Sequence, residues 1–258
     1  MNCWHMSGAG NDFMVVDARG QCLNFTQMAK DLCKRTGADG FMAIDYSDKA
    51  DFRLHFYNSD GSRGEMCGNG SRCICKFAYD HGIAAEKMCV ETDAGLIYGE
   101  RLSENRYQVQ LNNPGVVDLY RTQSAAYVEL GSPGIPHGIV ELPKLTWEMA
   151  ELLRPQAVLL RHTPAFPKGA NISFYSWLDD TSVRVLTYER GVEDYTLACG
   201  TGCASTAVVL WTLGKLPSGK LTAQCKGGTL TLTIEGTKKQ VSRLLLEGSA
   251  EVVNTYEI

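Results

Sequence analysis

Hydrophobic and polar residues alternate at two distant places in the chain. Phe52, Leu54 and Phe56 occupy every second position of one segment, and Val183, Val185 and Thr187 do so in another. A period of two is typical of a β-strand with one buried face. Short runs of β-branched and apolar residues predict further strands at 13–16, 107–111, 221–224, 230–235 and 242–247. The pattern therefore indicates a chain rich in short strands.

An apolar run follows each of the two alternating strands, after a polar loop and a Cys-Gly-x-Gly phrase. The run from Cys199 to Leu213 contains no charged residue, which predicts a helix that is buried on every side. The run from Cys67 to His81 is nearly as apolar. Gly82 and Gly214 come directly after these runs, where a glycine commonly ends a helix.

The two segments have similar sequences, and the similarity extends beyond the cysteines. Met66-Cys67-Gly68-Asn69-Gly70-Ser71 resembles Ala198-Cys199-Gly200-Thr201-Gly202-Cys203, residues 52–58 align with 183–189, and residues 91–95 align with 224–228. The similar stretches occur in the same order, at nearly one offset that is close to half of the 258 residues. A strand, a loop and a buried helix thus occur once in each half, which points to an internal duplication.

We therefore predict an α+β fold with two pseudo-symmetric domains. Each domain is expected to be a curved, mainly antiparallel sheet wrapped round a central helix. The predicted N-terminal half, residues 1–115, carries Cys67, and the predicted C-terminal half, residues 116–258, carries Cys199. The last strand is a candidate to return to the first half.

Composition and charge exclude several classes of protein. Hydrophobic residues make up 44% and charged residues 21%, with a net charge of −4, and no basic cluster is present to bind nucleic acid. The apolar runs are too short to span a bilayer. The N-terminal segment does not have the pattern of a secretory signal. A cytoplasmic protein that binds neither nucleic acid nor membranes is expected.

Ten cysteines are present, but their pattern favours neither a disulfide scaffold nor a zinc site. Disulfide scaffolds are typical of short secreted chains. Structural zinc sites use closely paired cysteines, whereas the spacings here are Cys67-x5-Cys73-x-Cys75 and Cys199-x3-Cys203. No metal is expected, and most of these cysteines are interpreted as small buried hydrophobic residues.

Cys67 and Cys199 are different because each stands where a loop becomes a buried helix. The free N–H groups and the dipole at a helix N-terminus favour negative charge, so we expect a lowered thiol pKa at both positions. The adjacent glycines let a ligand approach the backbone amides, and a carboxylate is the natural ligand there.

Two such thiols related by internal symmetry match the chemistry of inverting a stereocentre. One group removes the α-proton from one face of the substrate while the other delivers a proton to the opposite face. No pyridoxal lysine, flavin fingerprint or complete G-x-G-x-x-G loop is evident. We therefore predict an amino-acid racemase or epimerase without a cofactor, with a small-molecule amino acid as its substrate.

Around Cys67 and Cys199, and along almost the whole chain, the sequence resembles the diaminopimelate epimerase family. The motifs that carry the resemblance are Gly8-Ala9-Gly10-Asn11-Asp12-Phe13, Gly37-Ala38-Asp39-Gly40, Asn58-Ser59-Asp60-Gly61-Ser62, Glu65-Met66-Cys67-Gly68-Asn69-Gly70, Pro136-His137, Gly169-Ala170-Asn171-Ile172, Tyr188-Glu189-Arg190-Gly191-Val192 and Leu197-Ala198-Cys199-Gly200-Thr201-Gly202. The resemblance implies a pyridoxal-independent homodimer that interconverts LL- and meso-diaminopimelate in lysine biosynthesis.

The resemblance also implies roles for individual residues. Cys67 and Cys199 would be the acid–base pair. Further residues would bind the carboxylate at the reacting centre, namely Gly68, Asn69, Gly200 and Thr201. The rest of the substrate, mainly its distal amino-acid end, would be held by Asn11, Asn58, Asn171, Glu189 and Arg190. His137 and Glu189 would lie near the thiols and tune them.

One departure from the family pattern leaves the substrate open. Many members have Asn directly before Pro-His, whereas this chain has Ile135, whose side chain forms no hydrogen bond. A related two-cysteine racemase, for example one acting on histidine, is therefore an alternative. Alternatives outside this class are a cysteine hydrolase or transferase with His137 as its base, and a non-catalytic amino-acid binder. Taken alone, Asn58 would be interpreted as a turn residue.

Overall fold

The structure is a computed structural model that describes residues 1–64 and 67–258. Glu65 and Met66, which belong to the motif before Cys67, lie outside the described residues. The first eleven elements are β1 (Asn2–Gly8), β2 (Asn11–Asp17), α1 (Phe25–Thr36), β3 (Gly40–Asp45), β4 (Phe52–Asn58), β5 (Arg63–Gly64), α2 (Gly68–Asp80), β6 (Lys87–Thr92), β7 (Gly95–Ser103), β8 (Arg106–Leu111) and β9 (Pro114–Asp118). The remaining elements are β10 (Ala126–Gly131), β11 (Gly134–Glu141), a 3-10 turn (Trp147–Met149), α3 (Ala150–Arg161), β12 (Asn171–Asp179), β13 (Ser182–Glu189), β14 (Asp194–Tyr195), α4 (Gly200–Thr212), β15 (Lys220–Cys225), β16 (Gly228–Thr237), β17 (Gln240–Ser249) and β18 (Glu251–Glu257).

The chain divides into two compact units. Unit 1 comprises residues 1–110 together with 247–258, and unit 2 comprises residues 111–246. The C-terminal strand β18 thus belongs to unit 1, where it pairs antiparallel with β1.

Strand pairing follows the same sequence of directions in both units. In unit 1, β1 and β2 are antiparallel, β2 and β3 parallel, β3 and β4 antiparallel, β4 and β6 parallel, and β6 and β7 antiparallel. Unit 2 repeats that series. Strands β10 and β11 are antiparallel, β11 and β12 parallel, β12 and β13 antiparallel, β13 and β15 parallel, and β15 and β16 antiparallel. The first parallel step of each series is bridged by an outer helix (α1 or α3) and the second by a central helix (α2 or α4). This repetition confirms the α+β class and the pseudo-symmetry predicted from the sequence.

The central helices α2 and α4 lie inside their sheets. Helix α2 packs against β1, β2, β3 and β7, and α4 packs against β9, β10, β11, β12, β15 and β16. Because β1 and β7 are far apart in the strand order of unit 1, that sheet has to curve around α2 to reach it from both sides. Both helices have the predicted extent, since their caps are Cys67 and His81 for α2, and Cys199 and Leu213 for α4.

Burial along these helices follows from composition except at two charged residues of α2. Nearly all of α4 is buried, as expected for a segment without charge. Helix α2 is also buried from Gly68 to Ala78, but it carries Arg72 and Lys76 into the interior. The Lys76 ammonium reaches Asp80 and the carbonyl oxygen of Glu104, so hydrogen bonds compensate its burial.

The outer helices cover small cores of their own. Helix α1 is amphipathic and buries Ala29, Leu32 and Cys33 against β2 and β3. Helix α3 buries Leu153, Ala157 and Leu160 over β12 and β13. Each leucine among these residues contributes about 1.5–3 kcal/mol when its side chain is fully removed from water.

Most of the other cysteines are core residues. Those that are buried are Cys3, Cys33, Cys73, Cys75, Cys203 and Cys225. Burial raises the pKa of the Cys73 and Cys75 thiols to about 12, which makes them unreactive near neutral pH.

Candidate active site

The first candidate thiol caps the start of α2. Cys67 has an extended backbone (φ −129°, ψ 122°), and its carbonyl oxygen accepts the first helical hydrogen bond, from Ser71 N–H at 2.7 Å. The side chain is partly exposed. The backbone N–H groups of the first turn, from Gly68 to Gly70, have no helical acceptor, so this helix start favours an anionic ligand.

The side chain of Asn69 is committed to protein partners. Its Nδ2 donates to Oδ1 of Asn11, and its Oδ1 accepts from Nη1 of Arg72 at 3.0 Å. Arg72 is fully buried and also donates to the carbonyl oxygen of Gly68 at 3.3 Å. Any contact of Asn69 with a substrate carboxylate is therefore expected from its backbone N–H.

Asn11 and Asn58 lie at one end of the unit 1 sheet. Asn11 donates to Oδ2 of Asp39 at 3.3 Å, and Gly40, the next residue, pairs with Asn58 across β3 and β4. Asn58 is exposed, and its amide nitrogen donates to Oγ of Ser62 at 3.0 Å within the turn that follows β4. The structure thus gives Asn58 a turn role while leaving its side chain open to solvent.

The second candidate thiol caps the start of α4. Sγ of Cys199 accepts a hydrogen bond from Gly202 N–H at 3.4 Å and lies 3.5 Å from Oγ1 of Thr201. Gly202 has to be a glycine, because a Cβ there would lie 2.6 Å from Oγ of Ser173 and 2.8 Å from Oγ1 of Thr187. The start of α4 is therefore packed closely against β12 and β13.

The expectation of a lowered pKa is wrong for Cys199. Burial raises the pKa of this thiol well above its usual value, and the negative charge of Glu189 raises it further. The hydrogen bonds from Thr201 and Gly202 act in the opposite direction but are smaller. A helix N-terminus favours the thiolate only where solvent or a cation supports the charge, and Cys199 is 7% exposed beside a carboxylate. Cys199 is therefore a neutral thiol near pH 7.

Glu189 is held between the thiol and a hydroxyl. Its side chain is hydrogen-bonded to that of Cys199, and Oε1 accepts from Oγ1 of Thr196 at 2.6 Å. Glu189 ends β13, and Thr196 follows β14, so the turn between these strands brings the two residues together. Thr196 did not stand out in the sequence because a threonine next to a strand has no distinctive pattern.

His137, Asn171 and Arg190 form a second group in unit 2. Nδ2 of Asn171 lies 3.4 Å from Nε2 of His137, and Oδ1 of Asn171 accepts from the backbone N–H of Arg190 at 2.8 Å. His137 is completely buried, and burial followed by the charge of Arg190 lowers its pKa to about 3. The side chain of Arg190 is exposed, and its Nη1 donates to the carbonyl oxygen of Lys168 at 2.9 Å.

The structure thus brings the predicted residues together in groups within each unit. In unit 1, Asn11 and Asn69 are joined, with Cys67 and Gly68 at the same helix start. In unit 2, one group contains Cys199, Gly200, Thr201 and Glu189, and the other contains His137, Asn171 and Arg190. Sequence reasoning missed Arg72, although a charged residue within an apolar helix was an available signal.

Within residues 1–64 and 67–258, no group of three or more His, Cys, Asp or Glu side chains is arranged to hold a metal ion. In the same part of the chain, no helix combines the length and apolar character needed to cross a membrane.

Comparison with known proteins defines the class to which this fold and these helix starts belong. The model of the family described as diaminopimelate epimerase matches residues 3–117 and 131–253. The chain is 35% identical to the diaminopimelate epimerase of Aquifex aeolicus over 262 residues, covering 93% of this chain and 92% of that protein. It is 34% identical to that of Chlorobaculum tepidum over 257 residues, covering 96% and 97%.

Solved structures of lower identity share the fold. A hydroxyproline epimerase from Agrobacterium vitis has a TM-score of 0.74 at 16% identity, covering all of this chain and 90% of that one. A phenazine biosynthesis protein of the PhzF family from Bacillus anthracis has a TM-score of 0.75 at 15% identity, covering 100% and 98%. The protein is an isomerase by class. More particularly, the chain belongs to the diaminopimelate epimerase family.

Proposed function

We propose that this protein interconverts LL- and meso-diaminopimelate, with Cys67 and Cys199 exchanging protons at one α-carbon. The observation that carries the proposal is that both cysteines are the N-caps of central helices that occupy equivalent places in two repeated units. Full-length similarity to diaminopimelate epimerases supports the substrate. A single cysteine would explain hydrolysis, but it would leave the second, equivalent N-cap without a role.

The helix starts provide the sites for the carboxylate next to the reacting carbon. Amides from Gly68 and Asn69 on α2, and from Gly200 and Thr201 on α4, donate to the carboxylate and to the negative charge that develops as the α-proton leaves. Such donors act most strongly when they are fixed in place before the reaction. The network of Asn69 with Asn11 and Arg72 provides that rigidity in unit 1.

The protonation state of Cys199 gives a direction to the first step. Its raised pKa makes Cys199 the proton donor, so Cys67 acts as the base, as a thiolate that removes the α-proton. The Cys199 thiol then gives its proton to the opposite face of the carbon. After one turnover Cys67 is the thiol and Cys199 the thiolate, so the enzyme is set for the reverse reaction. Glu189 opposes that thiolate and favours the return of its proton.

The distal end of the substrate is assigned to polar residues away from the thiols. We infer that Arg190 holds the distal carboxylate through its guanidinium, which can bind a carboxylate with two parallel hydrogen bonds. Asn11, Asn58 and Asn171 complete this set by the family resemblance. His137 contributes as a neutral group, because its pKa of about 3 leaves it uncharged near neutral pH.

The burial of His137 also weighs against the cysteine hydrolase. A general base works best when its pKa lies near the working pH, and a histidine with a pKa of about 3 binds a proton too weakly. A racemase acting on another amino acid stays the alternative within the class, because Ile135 departs from the family's Asn.

The proposal is tested by deuterium exchange in heavy water over a panel of LL-diaminopimelate, L-histidine, L-proline and L-glutamate. LL-diaminopimelate should gain one solvent deuteron at the inverted centre and form the meso isomer, with no acyl intermediate. Inversion of histidine alone would transfer the assignment to the related racemase. A covalent acyl-enzyme, or exchange with none of the panel, would contradict the proposed reaction. Light scattering of the purified protein tests separately the homodimer that the family resemblance implies.

A further inference from the structure

Glu193 adopts a backbone conformation that residues with side chains rarely adopt. Its φ is +56°, and among the described residues only Ala9 is another non-glycine with positive φ. A Cβ is crowded by the backbone in this left-handed region, so the conformation persists only where surrounding contacts enforce it. Glu193 stands in the turn between β13 and β14, four residues after Glu189 and three after Arg190.

The side chain of Glu193 supplies those contacts. Its Oε1 accepts from the backbone N–H of Gly191 at 3.0 Å and from Nε and Nη2 of Arg161 at 3.2 and 2.9 Å. The backbone N–H of Glu193 donates to the carbonyl oxygen of Glu189 at 2.8 Å. One carboxylate oxygen therefore closes the turn and ties it to the last residue of α3.

Arg161 braces a second segment at the same time. Gly169 packs against its guanidinium so closely that a Cβ there would lie 2.0 Å from Nη1 of Arg161. Gly169 also has a φ of +63°, which independently favours glycine. Arg161 is largely buried, with 14% of its side chain exposed, so its position is fixed by packing as well as by charge.

The two braced segments are the ones that hold Arg190. The carbonyl oxygen of Lys168, directly before Gly169, accepts from Nη1 of Arg190. Oδ1 of Asn171 accepts from the backbone N–H of Arg190. In the part of the chain that the structure describes, no carboxylate forms an ion pair with Arg190. Its charge is thus oriented by backbone and amide contacts and is open to an incoming anion.

We propose that Arg161 and Glu193 form a clamp that positions Arg190 and, through it, the substrate carboxylate remote from the reacting carbon. This inference rests on the proposed function, because it takes Arg190 to bind that carboxylate. Arg161 and Glu193 are positioning residues and do not contact the substrate. An ordinary surface ion pair would stabilise the fold slightly and leave catalysis unchanged. The clamp instead couples a strained backbone to the placement of a binding residue.

Two variants test the clamp in the full-length protein. Glu193→Gly removes the carboxylate and at the same time relieves the strained φ, so the protein stays folded. Arg161→Met keeps much of the apolar stem and removes the charge. Each should raise KM for LL-diaminopimelate about tenfold with kcat changed less than about twofold, because a distal contact binds ground state and transition state alike. The double variant should be no worse than either single variant, since both break one clamp.

Two further variants provide matched controls. Asp194→Asn breaks the ion pair between Arg154 and Asp194, which at 2.8 Å joins the same helix to the first residue of β14, directly after the turn, without involving Glu193. It should leave KM unchanged. Arg190→Lys sets the size of the KM change when the guanidinium itself is lost. An equal rise in KM with Asp194→Asn would show that general stiffness of the turn is responsible and would overturn the clamp.

Hydrogen exchange separates failure of this inference from failure of the proposed function. In Glu193→Gly and Arg161→Met, the amide protons of Arg190 and Gly191 should exchange faster than in the wild type, whether or not the protein acts on diaminopimelate. If both amides in these variants exchange at the same rates as in the wild type, the clamp is overturned. Faster exchange with an unchanged KM would overturn its link to substrate binding. A wild-type protein inactive on the whole panel would refute the function alone, and the exchange result would still decide the clamp.

Discussion

The side-chain amide of Asn171 fixes the tautomer of the neutral His137 ring. Its Oδ1 accepts from the backbone N–H of Arg190, so its Nδ2 faces Nε2 of His137 at 3.4 Å and donates to it. Nε2 is then an acceptor, and the proton of the neutral ring resides on Nδ1. Among the described residues, Nδ1 has no hydrogen-bond partner. His137 is thus a buried neutral ring with one free donor.

Acid should destabilise the protein through His137. Its pKa is about 3 when folded and near the ordinary 6.5 when unfolded, so only the unfolded state binds a proton between these values. The neutral ring's contribution is fully present above about pH 6.5 and is lost as the pH falls towards 3. Between these pKa values the free energy of unfolding should fall by about 1.4 kcal/mol for each pH unit of acidification. His137→Gln keeps an acceptor for Asn171 but removes the titrating ring. It should reduce the slope of the free energy of unfolding against pH by that amount, as measured by urea unfolding between pH 6 and pH 4. Equal slopes would show that the ring titrates normally.

Glu189 should suppress the reactivity of Cys199. Its negative charge opposes the thiolate, so Glu189→Gln should lower the pKa of Cys199 while leaving the effect of burial in place. A change of one pKa unit corresponds to an approximately tenfold faster alkylation by iodoacetamide at pH 7.5. Mass spectrometry of the peptide that contains Cys199 measures the rate. Thr196→Val, which removes the other partner of Glu189 but keeps its charge, should change the rate much less. If the two variants react alike, charge is not the cause.

Each thiol should be indispensable for inversion. Cys67→Ala and Cys199→Ala should each lower turnover at least about 1000-fold, because one face of the α-carbon then has neither acid nor base. Substrate should still bind, and calorimetry can confirm this. Cys203→Ala, one helical turn beyond Cys199, should retain activity within about twofold. Substantial turnover by Cys67→Ala would rule out a mechanism with two thiols.

Ile135 should limit recognition of the distal end. Ile135→Asn restores a side chain that can donate and accept, so KM for diaminopimelate should fall by about fivefold to tenfold, the gain expected of one hydrogen bond. Steady-state kinetics on diaminopimelate and histidine measure the change. Loss of diaminopimelate turnover in this variant, together with a wild-type preference for another amino acid, would indicate a pocket built for that other substrate.

The central helices could be predicted closely because their signals are local. An uncharged run with Cys-Gly-x-Gly before it and glycine after it fixes both ends, and the caps Cys67 and Cys199 are where the sequence predicts them. Helices α1 and α3 carry weaker signals, and α3 even contains Pro155. The parallel pairings, such as β4 with β6, join segments separated by a helix, and alternation within one strand does not specify its neighbour.

The electrostatics of the site were less predictable than its members. The dipole of α4 is a property of the helix and follows from the sequence. The burial of Cys199 and the approach of Glu189 depend on how β13 and α4 pack, and these two effects outweigh the hydrogen bonds that Thr201 and Gly202 donate at the helix start. The relation of Arg161 to Glu193 was hidden for the same reason, since it depends on a backbone angle that no motif encodes.

The assignment of residues 247–258 to unit 1 has a consequence for biosynthesis. Strand β1 needs β18 as its antiparallel neighbour, and β18 leaves the ribosome only after all of unit 2 has been translated. Unit 2 is continuous in the chain and can complete its sheet during translation, whereas unit 1 has to wait for its last strand. The amino group of Met1 lies 2.8 Å from the carbonyl oxygen of Ile258. A circular permutant that joins these ends and opens the chain near residue 111 would make unit 1 continuous. Unit 2 would then be synthesised first, and neither unit would have to wait for a strand translated after the other unit.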